Sequence, residues 1–515
     1  MPKDIFAAGA AADRPDRGRR VRAVRAIRLL HYLPGRRAGS ASAPPSVRLP
    51  RKRERNGKKA VQAGSGAPRA AAALLFFSAL FPAPAEAEPA AALLGNGGGL
   101  RTILARYGAA LDLSETSEVF GNLTGGLHRG FAYDGLTSMA LTLDAGKAFG
   151  WTGGTFHVSA FQIHGLNLTA RNLDVLQTIS NIEADRATRL WELWYRQTLP
   201  GMDADIKFGQ QSVDQEFLVS DYAGLFINAM NGWPALPSND LYAGGPVYPL
   251  SSLGIRLRAK PAAALTVLAG VFDDNPPGGS FFNDLQVRDG EASGTRFNLG
   301  TGALFLGEIQ YAVAHPPFAG RRALPGTYKL GVWADTGPFP DQRFDTAGLS
   351  LAAPTSTGIA RLDRGNFSLY GVVDQTVWQP DPAAARALGV FVRAMGAPGD
   401  RNLVDFALNA GVALKAPWPG REDDQFGIAY GLARISGRAA ALDRDRAFFT
   451  GLPFPVRSNE QIVEITYSWQ LTRWWQLQPD FQYVFHPGGG VGSPADPTRR
   501  LGDEAILGLR TRITF

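Results

Sequence analysis

The chain has 515 residues and a formal charge of +7, but the surplus sits at one end: residues 1–87 carry 18 Lys+Arg against 5 Asp+Glu, and 88–515 carry 35 against 41. A body with an acidic balance lacks the field that draws phosphates to a nucleic-acid binder, so no nucleic-acid partner is expected. The absence of cysteine excludes a disulfide scaffold, leaving burial or a closed hydrogen-bond network to hold an exported fold.

The N-terminal segment has the parts of a secretory leader. Arg51–Lys59 (RKRERNGKK) is a cationic stretch, Ala70–Phe81 (AAAALLFFSALF) is uncharged and apolar, and Ala85-Glu86-Ala87 places small residues where a signal peptidase cuts. Twelve apolar residues are too few for a spanning helix, which needs roughly 20. The expected division is 1–87 as basic leader and signal peptide, 88–109 as an N-terminal segment, and 110–515 as one β domain. Residues 1–50 fit no signal design; they read as a start codon assigned too far upstream, with Val61 as an alternative start, or as a disordered basic tail. Leu100–Gly108 (LRTILARYG) is the best helix candidate, with Ile103, Leu104 and Tyr107 on one side. Asn172–Ile182 reads as a short helix or a loop.

From about residue 110 the pattern has a period of two, which puts alternate side chains on opposite faces of a strand. Leu190–Gln197 (LWELWYRQ), Leu253–Ala259 (LGIRLRA) and Phe305–Tyr311 (FLGEIQY) alternate in this way. Gln461–Leu471 sets Val463, Ile465, Tyr467 and Trp469 against Glu464, Thr466 and Ser468. After a turn at 472–474, Trp475–Phe485 sets Trp475, Leu477, Phe481, Tyr483 and Phe485 against Gln476, Gln478, Asp480 and Gln482. Gly-, Pro- and Asp-rich joints intervene at Asp273–Gly279, Ala416–Asp424 and Pro487–Asp496. The last strand, Leu507–Phe515, alternates Leu507, Leu509, Ile513 and Phe515 with Arg510 and Arg512.

Soluble sandwiches alternate too, but two features favour an all-β transmembrane barrel. Aromatics gather near strand ends (Trp191, Trp469, Trp474, Trp475, Tyr483, Phe485), where interfacial girdles belong. The opposite faces are rich in Glu, Arg and Gln, which suits a wet lumen. Sixteen antiparallel strands with a short N-terminal helix give about 27 residues per strand and connection, and eighteen strands also fit. A final strand that closes against the first has no frayed end, and its terminal Phe515 is the kind of signal that barrel-assembly machinery reads.

Eight blocks in one order resemble the carbohydrate-selective outer-membrane porin family (OprB-like): LWELWYRQ (190–197), KFGQQSVDQEF (207–217), NGWP (231–234), YPLSSLGIRLRAKP (248–261), GVFDDNP (270–276), PGTYKLGVW (325–333), GAPGDRNLVDFALNAGV (396–412) and LQPDFQYVFHPGGG (477–490). The N-terminal LLGNGGGLR (93–101) departs, with Asn96 and Gly97 where the family usually has an acidic residue and a tryptophan. The resemblance implies a passive channel in the Gram-negative outer membrane for glucose and related sugars, a constriction of charged and aromatic groups, and often a homotrimer. It implies no cofactor and no catalysis.

A sugar entering a constriction sheds water, and each unmatched polar group costs about 1–3 kcal/mol. Carboxylates and amides can replace that water, provided binding stays weak enough for release. The candidate pore-lining residues are Glu192, Arg196, Arg256, Arg258, Glu308, Gln310, Arg393, Glu464, Gln478 and Asp480, all polar with apolar strand neighbours. Alternation fixes their face and not their depth, so each is also readable as a generic lumen residue. Gln210, Asp214 and Glu216 belong to the site or to a network bracing the wall. His157 and His164 lack metal-ligand spacing, and no phosphate-loop or GxSxG pattern occurs. The competing functions are a porin for an anion or polyol, an outer-membrane hydrolase, and a soluble sugar-binding β-protein.

Overall fold

Lipid offers no hydrogen-bond partners, so a chain crossing it in strands must pair its own amides and leave no edge. The computed structural model describes residues 92–279, 292–315, 323–381 and 385–515, so the expected leader lies outside the described residues. The first eight strands are β1 (Ala109–Thr124), β2 (Gly130–Asp144), β3 (Gly154–Gly165), β4 (Ala187–Thr198), β5 (Ala204–Gln211), β6 (Ser252–Ala262), β7 (Leu265–Asp273) and β8 (Ala303–His315). The rest are β9 (Leu324–Asp345), β10 (Ala360–Trp378), β11 (Ala387–Gly396), β12 (Val404–Lys415), β13 (Gln425–Ile435), β14 (Asn459–Thr472), β15 (Trp475–Phe485) and β16 (Glu504–Thr514). Each is antiparallel to its sequence neighbours, and β1 pairs with β16 to close a sixteen-stranded barrel.

In the seam Ser114 faces Thr514 and Glu118 faces Arg510, and the Phe515 N–H donates to Leu113 O at 2.9 Å. Arg101, on the helix Leu100–Arg106, donates to Phe515 O, so both ends of the described chain meet at one rim. That rim carries short connections such as 199–203, 263–264 and 473–474. The other carries long ones, including 166–186, 212–251, 274–302 and 436–458. Asn172–Ile182 continues irregularly after the helix Leu168–Asn172.

The outer wall is apolar and exposed, with Ile255, Leu257, Phe305, Ile309, Leu369, Ile465, Leu507 and Leu509 facing out. Arginine at such a position near the bilayer midplane costs about 2–4 kcal/mol. Leu509→Arg is therefore expected to lower the yield of compact, heat-modifiable barrel on unheated gels, whereas Leu509→Val leaves it unchanged; equal yields would place this face away from lipid.

Two parts of the wall depart from the simple apolar-out, polar-in pattern. Outside, β1–β3 carry a polar cluster: Thr137 Oγ1 and Ser117 Oγ donate to Glu115 at 2.5 and 3.0 Å. Tyr133 bonds both Ser117 and His164, at 3.0 and 3.1 Å. Inside, β7–β12 present buried Leu268, Phe272, Leu304, Leu306, Trp333, Val372 and Met395 in place of a wet surface. The reason is the connection 212–251, which folds into the barrel and packs Phe217, Leu218, Trp233, Leu236, Leu241 and Val247 against them. The connection 166–186 does the same with Leu168, Leu173, Val175 and Ile179 against Phe120, Ile462, Val484 and Ile506. Each fully buried side chain of this size contributes roughly 1.5–3 kcal/mol, so the inward segments are built into the fold.

Candidate solute channel

The two inward segments leave an elongated cavity of about 1900 Å³. It is bordered by Asp341, Gln342 and Ile359 toward the long-loop rim and by Asp112, Arg512 and Thr514 toward the short-turn rim. Between these ends its lining comes from β1–β4, β14–β16 and the inward segments.

One wall is aromatic. A bulge between β3 and β4 sets two residues, Trp191 and Glu192, against Ser159, because Val158 pairs with Leu193 and Ala160 with Leu190. Both side chains consequently border the cavity. Trp191, expected in an outer girdle, is thereby turned inward. Its ring lies 4.5 Å from that of Phe161, which is 5.4 Å from Tyr248. Trp191 Nε1 donates to Leu250 O at 3.2 Å and Tyr248 Oη to Ile182 O at 2.8 Å, which fixes both rings. Polar groups share the same space: Ser180, Asn181, Asp214, Gln215 and Gln478 border it. Arg510 also borders it while bonded to Glu118, Ser180 and Asn181 at 2.8–2.9 Å.

The ten candidates fall into groups. Glu192 and Gln478 border the cavity; Glu192 also accepts from Ser212 N at 3.0 Å, and Gln478 donates to Leu225 O at 2.8 Å. The other eight are turned onto the wall or the inward segments. Arg393, 1 % exposed, donates to the carbonyls of Leu218, Met230, Asn231 and Gly232 and to Asn409 Oδ1. Glu308 accepts from Leu218 N at 2.9 Å, Tyr370 Oη at 2.8 Å and Gln310 Nε2 at 2.7 Å. Glu464 accepts from Ile227 N, Asn228 N and Asn231 Nδ2, while Asp480 accepts from Gln482 Nε2 at 2.8 Å. Arg256 pairs with Asp205 and Glu216, Arg258 lies 3.7 Å from Asp205, and Arg196 reaches Thr155 Oγ1 at 3.5 Å. For Arg393, Glu308 and Glu464 the physical reason is common: an irregular segment inside a barrel exposes N–H and C=O groups that the inner strand faces must satisfy.

Gln210, Asp214 and Glu216 divide in the same way. Gln210 Nε2 bonds Trp191 O, Ser251 Oγ and Gly294 O, and Glu216 bridges Lys207 and Arg256, so these two brace the wall. Asp214 borders the cavity. Burial alone would raise the Glu216 carboxyl, but Lys207 and Arg256 override it and hold the pKa below the ordinary glutamate value. A carboxylate held low supplies stability that is present above its unfolded pKa and lost as pH falls through the folded one. Acidifying from neutral to about pH 3 should therefore lower the melting temperature of the wild type more than that of Glu216→Gln. Parallel pH profiles would show that the brace contributes nothing.

Sequence reasoning did not single out Phe161, Tyr248, Asn181, Gln215 or Asp112. The first two lie among apolar residues and read as packing, and Asn181 and Gln215 come from connections whose inward fold leaves no periodic signal. Among the described residues, no three His, Cys, Asp or Glu side chains converge as metal ligands.

Residues 128–515 match the family model described as carbohydrate-selective porin, OprB family. The chain is 26% identical to Porin B of Pseudomonas aeruginosa over 425 residues, covering 77% of this chain and 87% of that protein. It is 22% identical to the putative porin QuiX of Acinetobacter baylyi over 444 residues, 82% of this chain and 93% of the relative. The high-pH structure of Pseudomonas putida OprB superposes with a TM-score of 0.71 at 22% identity, covering 84% of this chain and all of that one.

Proposed function

The chain belongs to the carbohydrate-selective OprB porin family, whose place is the outer membrane, and we propose that it is a passive channel for glucose and related monosaccharides. The observation that carries this reading is the shared lining of the cavity. The rings of Phe161, Trp191 and Tyr248 offer flat apolar faces to the C–H side of a sugar, while Glu192, Asp214, Gln215 and Gln478 offer partners to its hydroxyls. Every hydroxyl left unmatched would cost about 1–3 kcal/mol, so a ring of mixed donors and acceptors lowers the barrier to entry. Permeation also requires that the bound state stay shallow enough for release.

Of the ten candidate residues, Glu192 and Gln478 are assigned to solute contact. Arg196, Arg256, Arg258, Glu308, Gln310, Arg393, Glu464 and Asp480 are assigned to holding the wall and the inward segments that shape the channel. Residues 1–87 serve as a leader removed on export, 88–109 as the N-terminal segment and 110–515 as the barrel. Phe515 offers the assembly machinery its signal. The polar cluster around Glu115 faces a second copy in a homo-oligomer, since a carboxylate is costly against lipid.

Liposome swelling tests the solute assignment. Glucose should enter faster than a polyol of similar size or a sugar acid, and Glu192→Gln with Gln478→Ala should narrow the difference. Equal rates for all three solutes would remove the sugar reading while leaving a general pore.

A further inference from the structure

Two aspartates at the long-loop end of β7–β9 face each other without a counter-charge. Asp274 directly follows β7, and Asp335 lies in β9 opposite Leu304 of β8. They are 1 % and 4 % exposed, and the Oδ2 atom of each has no donor among the described residues. Their other oxygens are occupied. Asp274 Oδ1 accepts from Thr301 Oγ1 at 2.6 Å and from Gly302 N at 2.9 Å, and Asp335 Oδ1 accepts from Gly337 N at 2.7 Å. The two carboxyl groups are within hydrogen-bond reach of each other, and the next charged group acting on Asp335 is Asp273, again acidic.

Glycine lets the pair meet. A Cβ on Gly302 would collide with Asp274 Oδ2, and one on Gly337 would stand 2.9 Å from that oxygen and 3.1 Å from Asp335 Oδ1. Two buried carboxylates this close cannot both stay ionised unless something positive stands between them, either a proton or a cation. No amide on these glycines competes for the space, because Gly302 N and Gly337 N are already donated to the Oδ1 atoms.

We propose that the pair holds one divalent cation, with Asp274 Oδ2 and Asp335 Oδ2 as its anionic ligands and water completing its shell. Magnesium takes one or two carboxylates in this way and keeps several waters, and calcium accepts the same oxygen donors. The channel supplies the water, since Asp274, Thr301, Tyr242 and Pro338 all border the cavity. Tyr242, from the inward segment 212–251, donates from Oη to Pro338 O at 2.6 Å. A cation here therefore clips the connection 274–302 to β9 where the inward segment leans on that strand. The inference goes beyond the sugar reading, and its test reads stability and binding alone.

The full chain, refolded in detergent and stripped with EDTA, is titrated with magnesium and then with calcium. A ligand that binds only the folded state, at about 100 times its Kd, should raise the melting temperature by roughly 3–5 °C. In Asp274→Asn and in Asp335→Asn the shift should disappear. Because either variant could misassemble, terbium luminescence on the wild type supplies a second readout, with one bound ion per chain expected and displaced by calcium. A wild type that neither shifts nor binds terbium would overturn the proposal in favour of a proton shared by the two carboxyls. A folded Asp274→Asn variant that keeps the full shift would place the cation elsewhere and overturn it as well.

Discussion

Replacing Arg393 with alanine is expected to raise single-channel conductance several-fold while leaving a closed barrel. Its guanidinium spends all of its donors on the turn that brings 218 and 230–232 together, with Asn409 completing the set. Each buried carbonyl left without its donor costs about 1–3 kcal/mol. The barrel's own ladder does not pass through that side chain, since Val392–Arg393–Ala394 keeps its backbone register with β10 and β12. The loss should therefore fall on the inward segment 212–251, which would loosen and widen the path. Arg393→Lys keeps the charge but not the planar fork, so an intermediate conductance is expected. Unchanged conductance in a well-folded Arg393→Ala barrel would show that apolar packing alone holds the segment.

The second large effect is expected at Trp191. Truncation to alanine removes the widest ring from the aromatic wall, together with its contact to Phe161. Loss of about 1.4 kcal/mol of contact to a sugar face corresponds to a tenfold weaker block of channel current by glucose. Trp191→Phe keeps a ring at the same place and should recover most of that affinity. Channel block that is indifferent to both variants would move the sugar contact elsewhere along the cavity.

The barrel was legible because its outer face is dictated by a single solvent. Leu507, Leu509, Ile465 and Phe481 recur at every second residue since lipid accepts little else, and the same rhythm runs to Phe515 at the seam. The inner face answers to two environments, and there the rhythm misleads. Trp333 and Leu304 point inward because the 212–251 segment covers them, and nothing local to β8 or β9 announces a partner some sixty to a hundred residues away in sequence. Glu308, Glu464 and Arg393 were visible as inward polar groups, but whether such a group meets water or a backbone amide depends on that same segment. Trp191 was misplaced for another reason: one bulge shifts the alternation, and a bulge leaves no mark in the residues around it.

Whether this barrel conducts through a sugar-binding lumen is decided by single-channel recording of the refolded chain in a planar bilayer, with graded glucose on one side. A lumen narrowed by inward segments and lined by aromatic rings beside polar groups predicts discrete current steps of uniform size, reduced in a saturable way as glucose rises. Current that never appears, or steps that glucose leaves untouched at every concentration, would contradict it.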